Sequence, residues 1–198
     1  TLLLSNSKIE NMTSAGILAQ GSTIEAYNNL ITNCGQYAVA LTIGGSYEFY
    51  HCTIGNYWRL STRTTPSVLL NNYYIDVNNN TQIRPIEKAL FGNCIIYGNK
   101  ESEVVIDKIA EGELSYKFDH SLIKVDEDLS TADPNYFEEV IVNIDPKFID
   151  PDPMVSNFEL DTQSVAKDEG KPEYGIRIPL DLNLNSRTLD SGPDLGAF

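Results

Sequence analysis

Acidic residues are scarce in the first half of this chain, and long apolar runs are missing throughout. Residues 1–100 hold five Asp/Glu against six Lys/Arg, whereas residues 101–198 hold 23 against eight, so the net charge of −14 comes from the second half. A chain with that balance lacks the clustered Lys/Arg that a phosphate backbone requires, which excludes nucleic acid as a partner. It also lacks the basic patch that docks on an anionic membrane surface. No apolar stretch reaches the roughly eighteen residues of a membrane-spanning helix. The three cysteines, Cys34, Cys52 and Cys94, contain no Cys-x-x-Cys, so neither a zinc ribbon nor a paired disulfide framework is specified. There is no Gly-x-Ser-x-Gly, no glycine-rich phosphate loop and no His-Glu-x-x-His. Serine-nucleophile, nucleotide and zinc-hydrolase chemistry therefore have no support.

What the chain does have is a repeat. The pattern apolar-x-apolar-x-[Asn/His]-x-x-Ile occurs five times: Leu2/Leu4/Asn6/Ile9, Ile24/Ala26/Asn28/Ile31, Tyr47/Phe49/His51/Ile54, Ala89/Phe91/Asn93/Ile96 and Tyr116/Phe118/His120/Ile123. Its spacing is 22, 23, 42 and 27 residues between successive Asn/His positions. A period of 22–23 with insertions suits one coil of a parallel β-solenoid, and the dense leucines of a leucine-rich repeat are absent. In a strand, residues i and i+2 share a face, so the two apolar positions point into a core and the later Ile returns to it. The Asn/His position turns the chain. Asn6, Asn28, His51, Asn93 and His120 are expected to form an inward, hydrogen-bonded ladder that satisfies backbone groups of neighbouring coils. Cys52 and Cys94 each follow a ladder residue. They are expected to be close neighbours, read as buried thiols with a disulfide as the alternative.

A second strand belongs to each coil: residues 15–19, 37–42, 67–70 and 103–106, with glycine turns at Gly21 and at Gly44 and Gly45. Two insertions, residues 55–66 and 71–85, break the period, and solenoid insertions often carry function. Thr1 lies inside the first copy of the repeat, and no signal-peptide pattern opens the chain. The expectation is a mature or truncated piece of a longer protein. The repeat is expected to stop after Ile123. Residues 134–139, beginning at Pro134, read as one helical turn. Residues 145–198 read as an extended segment anchored by Phe148, Ile149, Phe158, Leu160, Val165, Ile176, Leu182, Leu195 and Phe198, closing exposed strand edges.

The tail carries a resemblance. The segments Asp145-Pro146-Lys147-Phe148-Ile149-Asp150-Pro151, Asn157-Phe158-Glu159-Leu160, Ser164-Val165-Ala166-Lys167-Asp168-Glu169-Gly170, Asp181-Leu182-Asn183, Arg187 and Gly192-Pro193-Asp194-Leu195-Gly196-Ala197-Phe198 stand in an order that resembles the C-terminal part of bacterial right-handed parallel β-helix proteins of the choice-of-anchor Q type. The chain departs from that pattern at Val165, where a Pro is usual, and between Asp181 and Arg187, where a Gly is usual. The resemblance implies a pectate-lyase-like superhelix that is secreted or held at the cell surface or outer membrane. It implies no particular activity.

Candidate chemistry is thin. His51 and His120 occupy the ladder register and are read as structural, with an acid–base role as the alternative. Glu25 and Glu48 are placed to stack outward on adjacent coils, as a carboxylate pair for hydrolysis or, more simply, as a solvated pair. A lyase acting on acidic sugars needs a base and a cation, for which Arg59 and Arg63 are the weak catalytic candidates. Ca²⁺ could be held by Asp145, Asp150, Asp152 and Asp181, although Asp turns account for these residues without it. No cofactor is otherwise implied. Tyr57, Trp58, Arg59, Arg63, Tyr73 and Tyr74 have the flat rings and polar neighbours of a carbohydrate-binding surface, against a plain role in covering the core.

The reading is an all-β chain: a single-stranded right-handed parallel β-helix with three strands per coil and about five coils over residues 1–125. An extended, acidic C-terminal cap packs on it over residues 126–198. The function read from this is a bacterial surface or secreted module, carbohydrate-associated and not necessarily catalytic, with polysaccharide as the partner. The alternatives are a polysaccharide lyase or glycoside hydrolase acting on acidic polysaccharide, and a structural, adhesin-like spacer.

Overall fold

A computed structural model describes residues 1–189 and 191–198. It shows a right-handed parallel β-helix. One sheet stacks Leu2–Ser5, Ile17–Tyr27, Val39–Tyr50, Ile86–Gly92, Lys117–Asp119 and Phe137–Glu138, with Val68–Asn71 and Val104–Asp107 continuing from the first half of Val39–Tyr50. A second sheet stacks Lys8–Glu10, Leu30–Thr32, Thr53–Asn56, Ile95–Gly98, Leu122–Ile123 and Ile141–Val142. Every pairing in both sheets is parallel and joins equivalent residues of successive coils.

The register is the one the repeat implies. Ile9, Ile31, Ile54, Ile96 and Ile123 form one column, extended by Val142. Leu4, Ala26, Phe49, Phe91, Phe118 and Phe137 form another. Its phenyl rings lie almost parallel, at 5.1 Å for Phe49 and Phe91, 5.0 Å for Phe91 and Phe118 and 5.6 Å for Phe118 and Phe137. The second strands stack as well, Ile17 on Val39 on Val68 on Val104. The glycine turns between strands are bends inside continuous strands, with positive φ at Gly21, Ile43, Gly44 and Gly45.

Three expectations are corrected. The stacking does not stop at Ile123: Phe137–Glu138 and Ile141–Val142 add a sixth, incomplete coil, with Glu139 at the ladder position. Residues 134–136 make a turn into that strand rather than a helical turn. The third correction concerns the ladder, whose residues all sit at left-handed φ of 48–59°, which is where Asn is tolerated best. Neighbouring ladder residues do bond, Asn28 Nδ2 to Asn6 Oδ1 at 2.7 Å and Asn93 Nδ2 with His51 Nε2 at 3.1 Å, but the direction is not inward: Asn6 is exposed, and Asn28, His51 and Asn93 turn toward the C-terminal segment rather than into the coil. The residue one position later points inward. Ser7, Asn29, Cys52, Cys94 and Ser121 fill the inner corner: the Asn29 amide accepts from Ser7 N at 3.0 Å and donates to Leu4 O at 2.9 Å, and Ser121 Oγ accepts from Cys94 N at 3.0 Å. Cys52 and Cys94 are free, buried thiols.

The tail runs along the side of the solenoid. Phe148–Asp150 and Asn157–Leu160 pair antiparallel and place Phe148 and Phe158 over Leu30, Ile95 and Leu122 on the outer face of the second sheet. Gly55 makes room there, because a Cβ would stand 2.3 Å from the Phe158 ring. Leu160, Leu182, Leu195 and Phe198 join this second core, while Ile149, Val165 and Ile176 face outward.

Replacing Phe91 by Ala removes the middle ring of the aromatic column. The expected loss is about 3–5 kcal/mol in chemical denaturation, with little change of secondary structure; a loss under about 1 kcal/mol would show that the column is not a principal source of stability.

Candidate functional site

The outer face of the first sheet, at the corner of the ladder, is where the charged side chains of the coils gather. Alternation puts two columns on this face: Leu3, Glu25, Glu48, Leu90 and Lys117, and Ser5, Tyr27, Tyr50, Gly92, Asp119 and Glu138. Residues 164–189 and 191–198 form a strap along it. The strap is pinned to successive coils: Arg187 Nη2 donates to Asn28 Oδ1 at 2.8 Å, Ala197 N to Thr53 Oγ1 at 2.9 Å, Gly196 N to Asn93 O at 2.8 Å and Lys171 N to Asn93 Oδ1 at 2.7 Å.

A single short helix, α1 (Pro172–Arg177), rides on the tyrosine column. Tyr174 enters the gap above Gly92, where a Cβ would stand 2.7 Å from its ring, and packs 5.0 Å from Tyr50. Its hydroxyl donates to Asp119 at 2.6 Å. Asp119 also accepts from Lys171 at 3.0 Å and bonds His120 Nδ1 at 2.7 Å. Burial pushes the Asp119 carboxyl up, but the bonds from Tyr174, His120 and Lys171 together hold it below its ordinary value. Tyr174 is raised in turn, by burial and then by Asp119. Two coils away, Glu48 accepts from Tyr50 at 2.5 Å and from Lys88 at 2.7 Å. Burial raises Glu48, and Lys88 and Tyr50 more than reverse it, leaving it ionised. Burial and the Glu48 carboxylate push Tyr50 up to about 12. Glu25 is paired with Arg177, whose guanidinium lies 4.7 Å from the Tyr50 ring.

Glu25 and Glu48 do stack outward on adjacent coils, directly in register. A glycoside hydrolase needs one member of such a pair to be a protonated acid at working pH. Glu48 is tuned the other way, and each of the two carboxylates is held by a cation. Among the described residues no three His, Cys, Asp or Glu side chains converge to hold a metal. Asp145, Asp150, Asp152 and Asp181 lie in separate turns, each accepting a backbone amide two residues on.

A concavity at the N-terminal end of this face is open. A groove of about 500 Å³ lies between the first two coils and the end of α1. Leu3, Ile178, Pro179 and Leu180 form apolar walls, Tyr27 and Asn6 line it, and the Glu25–Arg177 pair stands in it. Leu3 is 60% exposed and Leu184, at the rim, 74%.

The residues expected to bind or act from the insertions are not gathered on one surface. Trp58 is buried, with its Nε1 on Ser61 Oγ at 2.9 Å. Tyr57 packs against Phe148 and Phe158. Arg63 is buried and grips Glu103 with both terminal nitrogens, at 2.7 and 2.8 Å. It also donates to Thr65 O at 2.7 Å, Asn56 O at 2.9 Å and Asn99 Oδ1 at 2.6 Å. Glu103 takes Ser67 N, Ser67 Oγ and Lys100 N as well. Arg59 is exposed and paired with Asp152 of the tail. Tyr73 and Tyr74 sit apart, on the antiparallel hairpin Tyr73–Ile75 and Thr81–Ile83, bonded to Asp107 and set against Arg84 respectively. The groove residues Tyr27, Arg177 and Leu180 were not foreseen. Their sole signal was the outward position of Glu25, because nothing local tells which coil a residue 152 positions later will reach.

The family model described as right handed beta helix region matches residues 1–119. Comparison with curated proteins and with solved structures found no match.

Arg63→Ala leaves Glu103 charged and buried without its cation, held only by Ser67 and the Lys100 amide. The expected cost is about 3–5 kcal/mol in urea denaturation, against a near-neutral Arg59→Ala; equal small effects would show that the buried pair does not hold the loop. His51 gives a pH test. Burial, then the charge of Arg187, holds it well below its ordinary 6.5, with backbone groups of Gly196 and Asp194 opposing in part. The unfolded chain therefore takes up a proton below about pH 6.5 that the folded chain refuses. Stability is full above that pH and should fall by up to about 1.4 kcal/mol per unit below it. His51→Asn, which suits the same left-handed corner, should flatten the slope between pH 6.5 and 5; an unchanged slope would clear His51 of the effect.

Proposed function

Because this chain belongs to the right-handed β-helix family, we propose that it works as a non-catalytic carbohydrate-associated module on the outside of a bacterial cell, secreted or held at the surface. The observation that carries this is the contrast on the outer face of the first sheet. Its charged groups are spent on one another and on the strap, while an open groove beside them keeps an aromatic ring, apolar walls and unsaturated polar groups. Pre-formed concave sites of this size with few polar groups are the usual form of a small-ligand site. Sugar rings offer apolar C–H faces to an aromatic and hydroxyls to polar neighbours, which is the chemistry Tyr27, Asn6, Glu25 and Arg177 present.

The family does not fix this, since one scaffold hosts many functions. No described helix is long and apolar enough to cross a membrane. The order of tail motifs, from Asp145 to Phe198, supports the finer assignment to the choice-of-anchor Q type, and with it the extracytoplasmic location. The spacer reading has one observation in its favour: the strap ties the coils together, as a rod under tension would require.

The test is a panel of plant, algal and bacterial glycans, read for retardation in affinity gels and for cleavage products. Retardation without cleavage, lost on Tyr27→Ala, is expected. Cleavage products would overturn the non-catalytic reading. No retardation by any glycan would leave the spacer.

A further inference from the structure

From the charge arrangement in the groove we infer that its ligand is an uncharged saccharide rather than an acidic one. This rests on the carbohydrate reading above and adds the class of sugar.

Four observations converge on it. The charged residues lining the groove are Glu25 and Arg177, and they neutralise each other as an ion pair. The guanidinium is engaged a second time, over the Tyr50 ring at 4.7 Å. A sugar carboxylate taking the remaining guanidinium donors would sit directly beside the Glu25 carboxylate, a like-charge contact of the kind that rejects a ligand. The coils beyond offer no free replacement, since Lys88, two coils from Glu25, is itself held by Glu48 at 2.7 Å. Finally, the chain carries a net charge of −14, so its long-range field repels a polyanion before any contact forms.

Neutralising charge does not exhaust hydrogen bonding. A guanidinium has five N–H donors, and a carboxylate has about four acceptor positions. One bond between them leaves donors on Arg177 and acceptors on Glu25 side by side. Adjacent hydroxyls of a neutral sugar each donate and accept, so they match such a pair without breaking it. Asn6 adds an amide whose oxygen is already taken by Asn28 Nδ2 at 2.7 Å, leaving its NH₂ to donate. Tyr27 and the walls at Leu3, Ile178 and Leu180 meet the apolar face of the ring. A volume of about 500 Å³ falls within the roughly 300–1,000 Å³ of small-ligand sites and has room for more than one sugar unit.

The experiment is calorimetry or affinity electrophoresis of the intact chain with two matched sets of probes: neutral gluco- and galacto-oligosaccharides, and oligogalacturonides of the same length. The neutral set should bind at least tenfold more tightly. Glu25→Gln keeps the shape of the site but frees Arg177, so it should bring oligogalacturonide affinity up toward the neutral set. Arg177→Ala should weaken neutral binding severalfold and give no acidic binding. Oligogalacturonides binding the unmodified chain as well as neutral sugars do would overturn the inference and leave the carbohydrate reading standing, as would a ratio unmoved by Glu25→Gln. Failure of both sets and of a wider panel to bind would sink the carbohydrate reading, and this inference with it.

Discussion

The in-register stacking of parallel coils is the constraint from which the rest of this structure follows. Each residue lies above and below its own counterpart at the strand spacing of about 4.8 Å, so a choice made in one coil is repeated along a whole column. Columns of like apolar groups satisfy that geometry easily. Phenyl rings stack almost parallel from Phe49 to Phe137, and the Ile column needs only a change to Val142 at its end. Polar columns are harder, because equal groups offer equal donors. The inner corner solves this with residues that both give and take, so Asn29 and Ser121 bond backbone groups of the coil beside them.

The outer corner solves it differently. Six residues from Asn6 to Glu139 take left-handed φ there, and their side chains leave the coil. A strap that supplies complementary groups at each level then becomes the natural cover. Arg187 meets Asn28, the backbone of Lys171 meets both ends of the Asn93 amide, and the turn at Asp194 and Gly196 lies over His51. The strap thus adds to the two bonds the corner makes between coils, Asn28 Nδ2 to Asn6 Oδ1 at 2.7 Å and Asn93 Nδ2 with His51 Nε2 at 3.1 Å. This explains why a tail so rich in Asp can pack against the solenoid. Many of its carboxylates are spent inside its own turns, and Lys171, Arg177 and Arg187 reach the coils.

This division also explains what could be read from the residues and what could not. The columns were legible because stacking makes them periodic, and a five-fold recurrence of apolar-x-apolar-x-[Asn/His]-x-x-Ile names the strands, the corner and the register together. The direction of the corner side chains was not. An Asn in a turn bonds equally well inward or outward, and only the positive φ, with the strap opposite, decides it. The sixth coil was missed because Phe137, Glu139 and Val142 keep the geometry while changing the residues: Glu replaces Asn/His and Val replaces Ile. The pair of Arg63 and Glu103 was invisible for another reason. The partners are 40 positions apart and join two loops that follow no period. Aromatics and an arginine in an insertion look the same on paper whether they face a ligand or fill the loop, and Trp58 and Arg63 fill it.

The same logic bears on chemistry. Stacking brings like residues together, so the outer face of a β-helix readily produces carboxylate pairs such as Glu25 and Glu48 without any catalytic purpose. What matters is whether their environments push them apart in proton affinity. Here the cations arrive separately, Lys88 to Glu48 from a neighbouring coil and Arg177 to Glu25 from the strap, so each carboxylate has its own cation. A face organised in this way is electrostatically quiet at short range, however acidic the whole chain is. Quiet polar pairs of this kind are poorly suited to proton transfer, so the arrangement that stabilises the strap also removes the acid a hydrolytic pair would need.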